Sequence, residues 1–355
     1  MTFSLDAAER SLLERLPKIE LHVHLDGSVR PQTLKELALE AGRPLTAYSD
    51  AELESRMKVN DSCGSLTEYL EKFSFVLPYL QTGEALERTA YELVEQAAAG
   101  RVRYIEVRFA PQLHRVTGLT LEAVIRHVTE GLKRGEQHFG TVARAIVICL
   151  RSHPLEQNMA VIEEAARFHG KGVVAADLAG DEASYPPGLF RGLFGEARRL
   201  GLPVTIHAGE AGGADHVRVA VMELGASRIG HGVRIMEDAS VMELVKEKQI
   251  PLEMCPVSNL QTKAVSAVAD YPLRRYLENG ILVTVNTDNM TVSDTTLQKE
   301  YELLLEHCGL SIGQLVQVIM NGARASFLEP DEKARLIEKV TLELAVLGLT
   351  ANAGG

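Results

Sequence analysis

The stretch Lys18-Ile19-Glu20-Leu21-His22-Val23-His24-Leu25-Asp26 decides the fold, because its apolar residues lead straight into two imidazoles and a carboxylate. His22 and His24 are two apart, which puts both rings on one face of a strand but about 200° apart on a helix. The strand reading is the one that makes them partners. Further apolar, β-branched segments follow at 102–109, 142–150, 173–178, 203–207, 228–230, 251–254 and 281–286, eight candidate strands in all. Most are separated by some 20 to 35 residues with helical periodicity, as at 121–134, 187–200, 217–224 and 241–248. Alternation of this kind implies a parallel sheet, and eight units imply an α/β fold closed as a (β/α)₈ barrel; an open doubly wound sheet is the alternative.

The longest interval, 26–100, holds extra helices near 34–39 and 66–77 and reads as an elaborate first connection over the barrel mouth. Helical patterns at 295–306, 312–327 and 331–345 close the chain, with an N-terminal helix within 1–16 and a frayed tail at 350–355. No linker divides the 355 residues, so a single barrel domain over 1–355 is expected.

The chain carries 37 Lys+Arg against 48 Asp+Glu, a formal net charge of −11, which offers no basic footprint for nucleic acid or an anionic membrane. Cys63, Cys149, Cys255 and Cys308 stand far apart in neither zinc-ribbon nor disulfide-dense spacing. The first 16 residues mix acidic and basic groups among apolar ones, unlike a secretion signal, and no apolar run approaches the ~18 residues of a membrane span. A cytoplasmic protein is expected.

Barrels of this kind build chemistry at the carboxyl ends of their strands. There lie His22, His24 and Asp26, then Glu106 and Arg108, Arg151 and His153, Asp177 and Gly180, His207 and Glu210, His231, and Asp288 with Asn289. Barrel closure gathers strands one, five and eight around one axis, so His22, His24, His207 and Asp288 form a His₃Asp donor set for one borderline cation. Zinc leads; iron or manganese suits the same ligands. Such an ion lowers the pKa of a bound water toward about 7, which points to hydrolysis. Hydrolytic attack also needs a base and an acid, and Glu210 and His231 are placed for those duties. His231 stands between Gly230 and Gly232, which leave room for close approach. Arg108, Arg151 and His153 read equally as pocket wall or as structural pairs. His114, His127, His138, His169, His216 and His307 read as surface or packing residues. Phe73, Phe75, Leu77 and Tyr79 could pack helices or gate the mouth.

Together, 17–27, 177–182 (Asp-Leu-Ala-Gly-Asp-Glu), 207–210 (His-Ala-Gly-Glu), 228–232 (Arg-Ile-Gly-His-Gly) and 286–288 (Asn-Thr-Asp) resemble the adenosine deaminase family of the amidohydrolase superfamily. Cys255-Pro256-Val257-Ser258-Asn259 resembles a sixth motif. The resemblance implies one Zn²⁺ on His22, His24, His207 and Asp288, protonation of purine N1 by Glu210, and orientation of the attacking water by His231 with Asp288. It also implies a contact from Gly180 N–H to purine N3 and from Asp26 to the ribose 5′-hydroxyl. The implied reaction converts adenosine or 2′-deoxyadenosine to inosine or deoxyinosine and ammonia, as in purine salvage. The family's vertebrate-type pattern has a second Asp after the metal-binding one, which donates to N7; here Asn289 stands, and an amide donates without protonation.

Two competing readings follow. One is a deaminase for another 6-aminopurine, adenine or aminodeoxyfutalosine, against which Asp26 favours a hydroxylated ribose. The other is a non-catalytic nucleoside-binding protein, which would have no use for an acid and a base beside a metal. The H-x-E with P-C-x-x-C signature of cytidine-type deaminases and the G-x-x-x-x-G-K-[ST] phosphate loop are both missing.

Overall fold

The computed structural model describes residues 4–60 and 63–350, so the expected tail beyond Thr350 lies outside the described residues. Among the described residues there are eight parallel strands: β1 (Lys18–His24), β2 (Val102–Phe109), β3 (Val142–Leu150), β4 (Val173–Ala179), β5 (Thr205–Ala208), β6 (Arg228–His231), β7 (Leu252–Met254) and β8 (Val283–Val285). They form two four-stranded runs, β1 to β4 and β5 to β8. Parallel bridges Ala176↔Val204 and Val23↔Asp288 join the runs at both seams, which closes the ring. β4 is buried along its whole length and β1 almost so, as strands covered on both faces must be.

β5 and β8 are shorter than their apolar runs, for identifiable reasons. Pro203 has no N–H to give a ladder, so only its carbonyl pairs, accepting from Ala176 N at 2.9 Å. At the β8–β1 seam, side chains replace backbone: Asn286 Oδ1 accepts from Leu21 N at 2.9 Å, and Thr287 Oγ1 donates to Glu20 at 2.8 Å.

Outside the ring, helices seal the apolar strand faces. The helix Leu121–Phe139 begins on a Thr120 cap, ends at Gly140 with φ +74°, and buries Val124, Ile125, Val128 and Leu132 along one stripe. It lies so close to Gly83–Ala99 that a Cβ on Gly131 would sit 2.2 Å from Glu87 O. The first connection also contains Pro31–Glu40, Asp50–Met57, Leu66–Leu70 and Phe73–Val76, and Leu297–His307, Ile312–Ala325 and Pro330–Val346 finish the chain. The N-terminal helix occupies Ala7–Arg15, started by an Asp6–Glu9 capping box.

Inside the ring, where branched apolar residues usually pack, runs a ladder of buried charges. Tyr104 Oη donates to Glu106 at 2.6 Å, and Glu106 pairs with Arg228. Arg228 Nε donates to Glu253 Oε1 at 2.7 Å, while Arg108 donates to Glu253 Oε2 at 2.6 Å and to Asp177 Oδ2 at 2.8 Å. Arg228 also donates to Ala325 O and lies 3.7 Å from the Phe327 ring centroid. Each charge has partners, as burial requires. Arg228→Met should therefore leave Glu106 without its cationic partner and Glu253 with Arg108 alone, and destabilise the fold by about 3–5 kcal/mol. The thermal midpoint reads this, and a fall of no more than a degree or so would show that the ladder contributes nothing to stability.

Candidate active site

The carboxyl ends of β1, β5, β6 and β8 bring His22, His207, His231 and Asp288 together, with one ligand atom from each within 4.8 Å of the others. His24 stands just outside this tight group. Its Nε2 is 3.2 Å from Asp288 Oδ1, and its ring centroid is 5.4 Å from that of His207. Two of these residues hold unusual backbone: His231 has φ +63° and Asp288 φ +59°, a left-handed region that side chains rarely adopt. Asp288 is pinned there by its N–H donating to His22 O at 2.8 Å and its carbonyl accepting from His24 N at 2.7 Å. Gly230 keeps the centre open, since a Cβ there would approach His22 Cε1 to 3.0 Å.

Hydrogen bonds at the far side of each ring set the tautomers. His22 Nδ1 lies 2.9 Å from Glu253 Oε2, and His207 Nδ1 3.0 Å from Asp177 Oδ2. A carboxylate can only accept, so both Nδ1 atoms carry hydrogen and both Nε2 lone pairs face the centre. His231 is the reverse. Tyr271 Oη and Cys255 N donate to Asn259 Oδ1, which fixes that amide, so Asn259 Nδ2 donates to His231 Nδ1 at 2.9 Å. The hydrogen of a neutral His231 is thereby on Nε2, where it can donate but cannot ligate. Burial drives the His231 ring well below its ordinary pKa, which keeps it neutral, and lowers His207 to about 4.

These donors fit a divalent cation. His22 Nε2 is buried with no hydrogen-bond partner, an orphaned lone pair that calls for an electrophile. The surrounding donors are imidazole nitrogens and a carboxylate, whose Oδ2 is steadied by Ser258 Oγ at 2.6 Å.

Glu210 follows β5 on a turn that includes Gly209 with φ +72°. Its Oε1 accepts from Thr262 Oγ1 at 3.0 Å, and its Oε2 lies 3.5 Å from His231 Nε2. Burial above all, then the charges of Asp288 and Glu182, raises its carboxyl well above the carboxylate range.

These groups face a cavity of about 390 Å³, also lined by Asp26, Gly180 and Asn289, with an apolar wall that includes Leu66, Leu70, Phe73, Leu77, Ile148 and Leu150. Asn289 is 2% exposed and its Oδ1 has no partner. Phe73 and Leu77 line the cavity, whereas Phe75 packs on Tyr48 with centroids 5.9 Å apart and Tyr79 lies under Arg43. Both arginines at the strand ends are structural: Arg108 belongs to the ladder, and Arg151 donates to Tyr185 O and His207 O, both at 2.6 Å. His153 lines the cavity. His216 is not an ordinary helix residue, because its Nδ1 is 3.0 Å from the buried Glu182. A larger cleft of about 600 Å³, near Arg144, Lys171 and Glu332, gathers none of the site residues.

Sequence reasoning overlooked Glu253, Glu182, Thr262 and the duty of Asp177. The available signal was a carboxylate inside an otherwise apolar strand, as in Leu252-Glu253-Met254.

The sequence profile of the adenosine deaminase family matches residues 17–343. An adenosine deaminase from Clostridium botulinum (strain Langeland) is 46% identical over 323 residues, covering 91% of this chain and 96% of that protein. The crystal structure of an adenine deaminase from Arthrobacter aurescens superposes with a TM-score of 0.86 at 30% identity, covering 93% of this chain and 99% of that one. A Zn-bound amidohydrolase from Burkhoderia ambifaria superposes with a TM-score of 0.88 at 26% identity, covering 98% and 96%. With the match spanning nearly the whole barrel and every strand end that builds the site, the chain belongs to the adenosine deaminase family.

Proposed function

We propose that the chain hydrolyses adenosine and 2′-deoxyadenosine to inosine and deoxyinosine with release of ammonia. The observation that carries this reading is Glu210: a buried carboxyl whose pKa burial raises well above the carboxylate range, beside a neutral histidine, on a nucleoside-sized cavity. Relatives about 46% identical that bear the name adenosine deaminase support it.

Zn²⁺, held by His22, His24, His207 and Asp288, would supply the acidification of a water toward a pKa of about 7. The tautomers support this ligand set over one that includes His231, since the inward nitrogen of His231 carries hydrogen. His231 Nε2–H instead donates to the oxygen of the attacking water, while Asp288 accepts its hydrogen. Glu210 gives its proton to purine N1, which draws electron density from C6 as water adds there. Asp288 then passes the proton it took from water to the 6-amino group, the C6–N bond breaks to release ammonia as C6–OH becomes C6=O, and the hydroxyl proton returns to Glu210. Asp26 receives the ribose 5′-hydroxyl and Gly180 N–H meets N3. Asn289 brings a donor and an acceptor on one plane, the pairing that the N7 and N6 edge of adenine takes. Its unpartnered Oδ1 supports that reading.

A hydroxylated ribose, met by Asp26, favours the nucleoside over free adenine. An acid within reach of a neutral histidine has no purpose in a mere binder. Among the described residues no helix is long and apolar enough to cross a membrane, and dispersed free cysteines support a cytoplasmic setting.

Glu210→Gln should retain metal and lose at least about 100-fold in kcat, because an amide cannot protonate N1. Ammonia release checks this, and a loss under about tenfold would remove Glu210 from the acid role. His207→Ala should empty the centre, seen as zinc per chain by elemental analysis; full occupancy would exclude His207 as a ligand. Asn289→Ala should weaken adenosine at least about 3- to 10-fold in kcat/KM, the worth of one hydrogen bond or more, and cost 7-deazaadenosine measurably less, since only the N6 contact is there to lose. Equal losses on both substrates would show that Asn289 does not read N7.

A further inference from the structure

Glu182 lies outside the catalytic set described above, on the loop after β4, and is 1% exposed. Its carboxylate draws in four consecutive backbone N–H groups. Gly209 N donates to Oε1 at 2.8 Å, and Glu210 N, Ala211 N and Gly212 N donate to Oε2 at 3.0, 2.8 and 2.8 Å. His216 Nδ1, 3.0 Å from Oε1, completes the cradle. The glycines are needed for this convergence: Gly209 has φ +72°, and a Cβ on Gly212 would lie 2.7 Å from Glu182 Oε1. Five donors on one buried anion leave the turn 209–212 a single conformation, and that turn carries Glu210.

The geometry points to Glu182 as a positioning residue for the acid Glu210: its anion clamps the backbone from which the Glu210 carboxyl reaches the cavity. The inference rests on the reading of Glu210 as the acid. Three features favour it over a merely structural anchor. The amide of Glu210 itself is one of the four donors. The clamp is local, embracing the acid's own residue and its immediate neighbours. Finally, a fixed negative charge behind the acid opposes its ionisation. Burial would raise the Glu182 carboxyl, but the His216 and amide hydrogen bonds outweigh this and hold it down to about 2, so the charge is permanent in neutral solution. Glutamine could not substitute: with its carbonyl oxygen in the place of Oε2, toward three N–H donors, its NH₂ would be pressed against Gly209 N–H and His216 where Oε1 stands.

The test is a double-mutant cycle on the zinc-loaded protein: Glu182→Gln, Glu210→Gln and both together, each assayed for ammonia release from adenosine. Glu210→Gln alone first checks the acid reading, so its failure is seen separately from that of the inference. Glu182→Gln should lower kcat at least about tenfold, with KM within about threefold. Zinc per chain should stay near one. In the Glu210→Gln background the same change should cost less than about twofold, since a residue acting through the acid has nothing left to position. A structural anchor would instead cost the same factor in both backgrounds. That additivity, a kcat near that of the parent, or loss of the metal would each overturn the inference. Should Glu182→Gln fail to fold, Glu182→Asp, which keeps the charge and withdraws it by one methylene, carries the same cycle with the same outcomes.

Discussion

One guanidinium organises the centre of this barrel. Arg108, fully buried on β2, bridges Asp177 and Glu253, and those two carboxylates hold the Nδ1 atoms of His207 and His22. Removing Arg108 would leave Asp177 without a guanidinium and Glu253 with Arg228 alone, with two imidazoles hanging from those carboxylates. Stability and function therefore share the same atoms. Below Arg108 the ladder continues through Arg228 to Glu106, so the ring orientations at the top are transmitted from charges packed along the axis. A purely apolar interior would be easier to desolvate, but it could not dictate which nitrogen of a histidine faces the metal centre.

The three kinds of histidine show what such dictation achieves. His22 and His207, backed by carboxylates, present lone pairs; His231, backed by the Asn259 amide, presents a hydrogen. His24 shares Asp288 with His22 but stands farther out, on the rim of the cavity. One residue type thus presents a lone pair at two positions and a hydrogen at a third within a few ångströms, and the partner behind each ring makes the difference.

Much of this could be read from the chain. β1 to β4 are long, apolar and bounded where the residue pattern puts them, because burial on both faces leaves a continuous signature. β5, β7 and β8 span only four, three and three residues, too short for periodicity to define, and their ends depend on Pro203 and on the Asn286 side chain. His22, His24, His207, His231, Glu210 and Asp288 could be picked out as candidates because each polar group ends or closely follows an apolar strand, and the structure brings them together at that face of the barrel. Glu182 was not. Its role depends on four amides 27 to 30 residues away converging on it, and nothing in its immediate surroundings announces that. Spacing alone also could not separate His24 from His231, since their difference lies in hydrogen position.

The left-handed backbone at His231 and Asp288 carries a consequence for anyone reshaping this enzyme. Glycine relaxes such positions, so a search for thermostable variants that scores backbone comfort will nominate both for replacement. On the mechanism proposed above, each nomination would erase a group the reaction uses. The conformational tension is held in place by neighbouring strands, and laboratory evolution for robustness must be directed elsewhere, to the outer helices, or it will trade turnover for heat tolerance.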